Sequence, residues 1–224
     1  LAIFAMVFGS TFGTINSANA AAVAIAGAET KVLADINEAA DTVIVTFAEG
    51  AGNDLATIDA ANSAGIVFAT LTNAGIAGTL NIAGEAGSDV TITGAITAID
   101  ALTFNITLSE AADLTSSGAH IEVGTGVMIF NITAGETFTR SGDEASAAVI
   151  RGAGNLVITG SSTYTDAIGS TTAVANLTTT AAKTVSFGST VAATAADLDG
   201  TVSITGASTI ATLAIGSDAT TVGS

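Results

Sequence analysis

The chain has 224 residues, none of them Cys or Pro, and its 20 acidic residues against 4 basic ones give a formal net charge of −16. This charge disfavours nucleic acid and anionic membrane surfaces as partners, because so few cations cannot neutralise a run of phosphates. The absence of Cys excludes disulfides and thiolate chemistry. Hydrophobic residues make up 49% of the chain but aromatic residues only 4%, which predicts a thin core of Ala, Val and Ile.

The N-terminal stretch, residues 1–28, carries no charged side chain. Its apolar run, residues 1–8, is too short to span a bilayer and precedes an Ala-Asn-Ala triplet that ends at residue 20. Signal peptidase cleaves after such A-x-A patterns, so we interpret residues 1–20 as the tail of a secretory signal.

The same stretch also fits a strand that is donated to a neighbouring subunit. Val23 and Ile25 alternate with Ala in residues 21–28, as they would in a strand that pairs with another chain. We therefore regard Val23 and Ile25 as candidate assembly residues.

Two segments depart from the strand pattern and predict short helices. In residues 29–40, three apolar residues share one helical face: Val32, Leu33 and Ile36. Residues 141–144 read Ser-Gly-Asp-Glu, an S-x-x-E capping box, and Gly152 follows as a C-terminal stop. The second helix is therefore predicted over residues 142–151.

The rest of the chain alternates apolar and small residues in short runs that end in Gly. Clear copies of this pattern are residues 79–84, 89–94, 155–160, 201–206 and 212–216, with a looser copy at 184–188. Each copy predicts a half-buried strand of period two, with Gly where the backbone turns. Neighbouring copies start 10, 11 or 17 residues apart, which predicts strand-turn-strand spacing without a fixed repeat.

An all-β fold with one or two short helices follows, and two architectures fit it. Stacked short strands with Gly turns and a thin aliphatic core are typical of a β-solenoid, or β-helix, in which each coil contacts only its neighbours. Turn signals roughly every 8 to 12 residues also fit a β-sandwich or tandem immunoglobulin-like sandwiches. We predict a β-rich domain over residues 29–224, with a weak boundary near residues 161–182, where the Gly-terminated strands thin out.

Acidic turns make calcium the ligand that the sequence predicts. Asn53 and Asp54 lie in a stretch that resembles one degenerate turn of the Gly- and Asp-rich nonapeptide of calcium-binding β-rolls. Asp197 and Asp199 place two carboxylates two positions apart on a predicted loop. We expect calcium at contacts between subunits, where it would also reduce the mutual repulsion of acidic chains.

We expect no catalytic activity and no other cofactor. His120 is the single His, no nucleophile motif lies near it, and we interpret it as a histidine at the end of a strand. A glycosidase with two carboxylates would carry aromatic platforms for the sugar, whereas the chain has 1 Tyr and no Trp.

Residues 182–188 and 200–206 are Gly-closed strands rich in Thr and Val, and the chain around them resembles bacterial surface-layer proteins. It is also similar to the β-helical passenger regions of surface-layer-like autotransporters of the rickettsial type. The resemblance is compositional and covers residues 42–224. These families imply a lattice or coat outside the cell that often depends on calcium.

We therefore expect a secreted, self-assembling structural protein of the cell surface, an S-layer-like coat. Its partners would be further copies of itself and a cell-envelope anchor, and we predict no membrane-spanning segment. One alternative is a subunit of an extracellular filament or pilus assembled by donation of the strand at residues 21–28. Another is a surface adhesin or binding module, which would bind a defined ligand without self-assembly.

Overall fold

A computed structural model describes residues 22–26, 30–32, 42–47, 55–59, 66–75, 77–84, 88–99 and 103–216. Within these residues the chain is all-β and has no helix, which confirms the predicted fold class. The first eleven strands are β1 (Ala22–Ala26), β2 (Thr30–Val32), β3 (Thr42–Phe47), β4 (Leu55–Asp59), β5 (Ile66–Phe68), β6 (Thr70–Gly75), β7 (Gly78–Ala83), β8 (Ser88–Ile92), β9 (Ile96–Ala98), β10 (Thr103–Leu108) and β11 (Ala112–Ser116). They are followed by β12 (His120–Glu122), β13 (Val127–Ile132), β14 (Thr137–Arg140), β15 (Ala148–Arg151), β16 (Asn155–Ile158), β17 (Ser162–Tyr164), β18 (Val174–Thr179), β19 (Thr184–Phe187), β20 (Val191–Leu198), β21 (Thr201–Ile204) and β22 (Ser208–Ile215).

The strands stack into four sheets. Sheet 1 has the order β1-β3-β6-β9-β12, sheet 2 β15-β13-β10-β7-β4-β2, sheet 3 β22-β20-β18-β16-β14-β11-β8-β5, and sheet 4 β17-β19-β21. Single bridges from His120 to Ser146 and from Ser146 to Tyr164 make sheet 4 the continuation of sheet 1. Every strand pair among the described residues is parallel. The solenoid is thus confirmed, and the sandwich alternative is wrong, because sandwich sheets are antiparallel.

The middle of the solenoid has a nearly constant coil length. Val90 of β8 pairs with Leu114 of β11, which pairs with Phe138 of β14, so equivalent positions lie 24 residues apart. Each of these coils gives one strand to each of sheets 1, 2 and 3. Leu71 and Ile96 of sheet 1 are 25 residues apart, and Leu80 and Ile106 of sheet 2 are 26 residues apart, so the repeat is not fixed across all three sheets. Spacings between successive strands do not reveal the coil, because one coil contains three strands.

Positions that face inward form continuous apolar columns along the solenoid. One column in sheet 3 is completely buried and consists of Val90, Leu114, Phe138, Leu156 and Leu177. Their neighbours along each strand are half-buried or exposed and are mostly Thr, Asp and Asn. The period of two therefore sets the buried face of each strand, and each large apolar side chain stabilises the fold by about 1.5–3 kcal/mol when it is buried.

The coil becomes shorter after β14. Ser146 pairs with Tyr164, so equivalent positions lie 18 residues apart here. Farther along, β20 begins beside Ile168, and Ile168 is in turn bridged to β15 of sheet 2. The remainder of β20 pairs with β18 of sheet 3. One strand of 8 residues thus replaces two strands, and the coil passes from three strands to two.

Residues 161–182, where a weak boundary is predicted, contribute β17 and β18 to the stack. β18 pairs with β16 on one side and with β20 on the other. β17 pairs with β19 and is bridged at Tyr164 to Ser146. The hydrogen-bonded stack is therefore continuous across this range.

Glycines stack at the corner where sheet 3 leads into sheet 1. A Cβ placed on Gly118 would clash with the backbone carbonyl of Gly94 in the coil below. A Cβ on Gly142 would clash with the carbonyl oxygen of Ser117. Successive coils approach each other at this corner through backbone alone, which explains why so many strands of the sequence end in Gly.

Neither predicted helix is present among the described residues. Within residues 29–40, Thr30–Val32 is β2 and the remainder lies outside the described residues. The helix predicted over residues 142–151 is wrong, because Ala148–Arg151 is β15 and pairs with β13.

Asp143 and Glu144, the acidic residues of the predicted capping box, each accept a hydrogen bond from a residue outside the box. The carboxylate of Asp143 accepts a hydrogen bond from the backbone N–H of Ser161 at 2.6 Å. The backbone carbonyl of Glu144 accepts one from Arg140 at 3.0 Å. A helix of so few residues is marginal in isolation, so pairing with the neighbouring coils overrides the local signal.

Candidate functional site

A buried polar cluster lies at the corner between sheet 3 and sheet 1. It consists of Ser116, His120, Arg140 and Ser146, and all four residues are almost completely buried. The imidazole Nε2 of His120 lies 3.0 Å from Oγ of Ser116, and its Nδ1 lies 2.8 Å from Oγ of Ser146. The ring also stacks on Phe138, with centroids 5.8 Å apart. The predicted strand-end histidine is therefore the first residue of β12 and lies in the core.

Arg140 is a buried cation whose partners are backbone carbonyls. Its Nη1 donates to the carbonyl oxygen of Ser116 and its Nη2 to that of Glu144, both at 3.0 Å, whereas its Nε has no partner. Burial and, secondly, the charge of Arg140 lower the pKa of His120 well below its usual value of 6.5. The imidazole is therefore neutral, with one nitrogen that donates and one that accepts, which suits two hydroxyl neighbours.

The buried polar cluster joins three successive coils. Ser116 ends β11, His120 and Arg140 belong to the next coil, and Ser146 precedes β15 in the coil after that. Its hydrogen bonds therefore connect the coils at the place where the coil becomes shorter. Ser116 and Arg140 are not among the residues predicted from the sequence. Each lies two positions after a buried residue, Leu114 or Phe138, and so faces inward.

The predicted calcium ligands fall into two groups. Asn53 and Asp54 lie outside the described residues. Asp197 is exposed and lies on β20 rather than on the predicted loop. Asp199 follows that strand; its backbone N–H donates to Oγ1 of Thr179, and its backbone carbonyl accepts a hydrogen bond from the same hydroxyl. In the described part of the chain, no group of three or more His, Cys, Asp or Glu residues is arranged to hold a metal ion. The calcium site stays a prediction.

The terminal coil, which consists of β21 and β22, has an uncovered inward face. β22 pairs with β20 and β21 pairs with β19, and no other described strand pairs with either of them. Leu213 and Ile215 pair with Ala196 and Leu198, which are buried inward-facing residues. Leu213 is nevertheless 43% exposed and Ile215 55% exposed, because no described coil covers them.

The edge of the terminal coil that pairs with no described strand lacks the usual protection against pairing with another chain. Residues 201–216 contain no charged residue and no Pro, although the whole chain has a net charge of −16. Exposed edge strands normally carry charges or Pro that prevent pairing with another chain. β22, with 8 residues, therefore offers a row of backbone donors and acceptors beside exposed apolar side chains. This combination is typical of a surface that binds a further strand.

The strand β1 is the first strand of sheet 1, at the edge opposite β12. Val23 and Ile25, the candidate assembly residues, both lie in it. They pair with Val43 and Val45 of β3 in the same chain, so β1 is the first strand of this chain's own sheet 1. Their role in assembly stays a prediction.

Among the described residues there is no helix with the length and apolar character needed to cross a membrane. Comparisons with family models, curated proteins and solved structures found no significant match. A proposal for the function is therefore argued from the solenoid and its terminal coil.

Proposed function

We propose that this protein is an extracellular, self-assembling structural protein of the cell surface whose copies join through the terminal coil. The observation that carries the proposal is the edge of β22 that pairs with no described strand, which has no charged residue and leaves Leu213 and Ile215 exposed. The solenoid supports it, because each coil is stabilised by contacts with its neighbours and a second chain can supply a further neighbour.

Burial of apolar surface would drive this association. A fully buried Leu or Ile side chain contributes about 1.5–3 kcal/mol, and Leu213 and Ile215 have about half of their surface left to bury. The net charge of −16 opposes contact between copies. Residues 201–216 carry no charge, so this repulsion is weakest where the terminal coil makes the contact.

The double variant Leu213→Lys/Ile215→Lys tests the proposal. Both side chains are exposed, so the single chain tolerates Lys, whereas the assembly would bury an unpaired charge at a large cost in free energy. We expect the unaltered protein to form large assemblies in sedimentation velocity and negative-stain imaging. The double variant should sediment as a monomer of 21.6 kDa.

A matched control is Ile121→Lys/Val123→Lys, which adds the same charge at residues that are 41% and 45% exposed and lie away from the terminal coil. This control should assemble like the unaltered protein. The proposal is overturned if the unaltered protein stays monomeric at high concentration, or if the terminal-coil variant assembles as well as the control.

We also propose that calcium strengthens the assembly through acidic turns. Divalent ions screen a net charge of −16 in any case, so calcium chloride is compared with sodium chloride at equal ionic strength. Calcium should promote assembly more strongly, and Asp197→Asn/Asp199→Asn should reduce the difference. Equal effects of the two salts would contradict a bound calcium ion.

A further inference from the structure

We infer that a halide ion such as chloride binds in the core of the solenoid beside Arg140. Three donors would hold it: Nε of Arg140 and the hydroxyl groups of Ser162 and Tyr164. All three side chains lie in the core and are at most 5% exposed. Among the described residues, none of these three polar atoms has a hydrogen-bond partner. The inference concerns the interior of the solenoid and is independent of the proposed assembly.

The positive charge of Arg140 has no buried partner of opposite sign among the described residues. Its two hydrogen bonds go to the backbone carbonyls of Ser116 and Glu144, which carry no net charge. The side chain of Glu144 is exposed, and the one buried acid of the described residues, Glu136, accepts a hydrogen bond from the backbone N–H of Ala111 instead. An unpaired charge is costly to bury, so a buried anion beside the guanidinium would stabilise the fold.

The other titratable groups of this part of the core do not supply the negative charge. Burial raises the pKa of Tyr164 to about 12, so the phenol keeps its proton at neutral pH. His120 is neutral, and both of its nitrogens are already bonded to the hydroxyl groups of Ser116 and Ser146. Tyr164 can therefore donate a hydrogen bond to an anion, but it cannot replace one.

The strand register brings the three donors together. Ser146 pairs with Tyr164, so Glu144, two positions before Ser146, lies beside Ser162, two positions before Tyr164. Nη2 of Arg140 donates to the carbonyl of Glu144, which places the guanidinium next to Ser162. Burial raises the pKa of Tyr164, whereas Ser162 and Arg140 both act to lower it, as groups close to the phenol do.

Close packing around the three donors limits the size of the ligand. The described part of the structure contains no pocket, and Tyr164 stacks on Phe187 with ring centroids 5.3 Å apart. Only an occupant of about the size of one water molecule suits a site packed this closely. A halide ion neutralises the guanidinium and accepts hydrogen bonds from all three donors, whereas a water molecule has no charge and accepts only two.

The dependence of stability on chloride tests the inference. Urea unfolding of the full chain is measured at constant ionic strength while sodium chloride replaces sodium gluconate, whose anion is too large for the site. An ion that binds one site of the folded chain stabilises it by linkage. Each tenfold increase in chloride above the dissociation constant should therefore lower the unfolding equilibrium constant about tenfold. The midpoint is compared at two protein concentrations, because assembly shifts it with concentration and a bound ion does not.

Two variants identify the site. Ser162→Ala/Tyr164→Phe removes two of the donors and keeps the shape of the core, so it should fold and lose most of the chloride dependence. Arg140→Met removes the charge and Nε and should not respond to chloride; the double variant carries the test if this chain does not fold. Thr163→Val is the matched control, because Thr163 lies between the two donors on β17 but is exposed. It should keep the full dependence.

Bromide distinguishes an ion from a water molecule. In crystals of the full chain grown with sodium bromide, an anomalous scattering peak should lie beside Nε of Arg140. Density at this place without an anomalous signal would be water and would overturn the inference. The inference is also overturned if chloride leaves the urea midpoint unchanged, or if the double variant and the Thr163→Val control respond to chloride alike.

Discussion

At the scale of single residues, the neutral state of His120 makes the stability of the fold depend on pH. The folded chain holds the pKa of His120 well below 6.5, whereas the unfolded chain restores the ordinary value. As the pH falls below 6.5, the unfolded state takes up a proton that the folded state refuses, so the free energy of unfolding decreases. The loss approaches about 1.4 kcal/mol per pH unit until the folded-state pKa is reached.

The variant His120→Gln isolates this effect from the titration of the carboxylates. Between about pH 7.5 and pH 5, chemical denaturation should show that the free energy of unfolding decreases more in the unaltered protein than in the variant. Both chains share the same acidic residues, so their remaining pH dependence should agree. An identical loss in the two chains would show that His120 titrates normally in the folded state.

Arg140 also stabilises the fold as a single residue, through hydrogen bonds to two backbone carbonyls. Arg140→Ala leaves a cavity and deprives the carbonyls of Ser116 and Glu144 of their donors, so the free energy of unfolding should decrease by about 3 kcal/mol or more. Arg151→Ala is the control, because Arg151 is half-buried and its Nε donates to Asn131 on the outer face of sheet 2. The control should lose less than about 1 kcal/mol, and equal losses in a denaturant titration would contradict this account.

At the scale of elements, the glycine corner sets how closely the coils stack. Gly118→Ala would place a Cβ against the backbone of Gly94, which cannot move without shifting a coil, so we expect a loss of about 2 kcal/mol or more. Gly188→Ala is the matched control, since its Cβ would lie 3.3 Å from the carbonyl oxygen of Tyr164. The control should stay within about 1 kcal/mol of the unaltered protein in thermal or denaturant unfolding. A tolerated Gly118→Ala would show that the corner relaxes.

At the scale of the whole molecule, a solenoid is stabilised by contacts between neighbouring coils, so a terminal coil with one neighbour opens first. In the monomeric Leu213→Lys/Ile215→Lys chain, the amides of β22 should exchange hydrogen faster than those of β16 and β18, which have strands on both sides. In assemblies of the unaltered protein, β22 should become protected. Mass-spectrometric hydrogen exchange measures both states, and equal protection of β22 in the two would show that the terminal coil is not the contact.

The amino-acid pattern was sufficient for the fold class and for the buried face of many strands. Residues 79–84 overlap β7 and residues 155–160 contain β16, and their alternating apolar residues are buried: Leu80, Ile82, Leu156 and Ile158. The strands could be predicted because alternation and Gly turns are local properties that each short strand expresses independently of the others. The same local pattern fits a solenoid and a sandwich, and only the parallel pairing between coils separates the two.

Tertiary structure decided the features that depend on residues far apart in the chain. Contacts between coils determine the coil length, the strand at Ala148–Arg151 and the hydrogen bonds of Arg140. The capping box at residues 141–144 predicted a helix because it is a local signal, and pairing between coils forms a strand there instead. The uncharged stretch at residues 201–216 is visible in the sequence, but its meaning as a free edge requires knowing which strands lack a neighbour. Local alternation determines which face a strand buries, whereas only the stacking of coils determines what each edge meets.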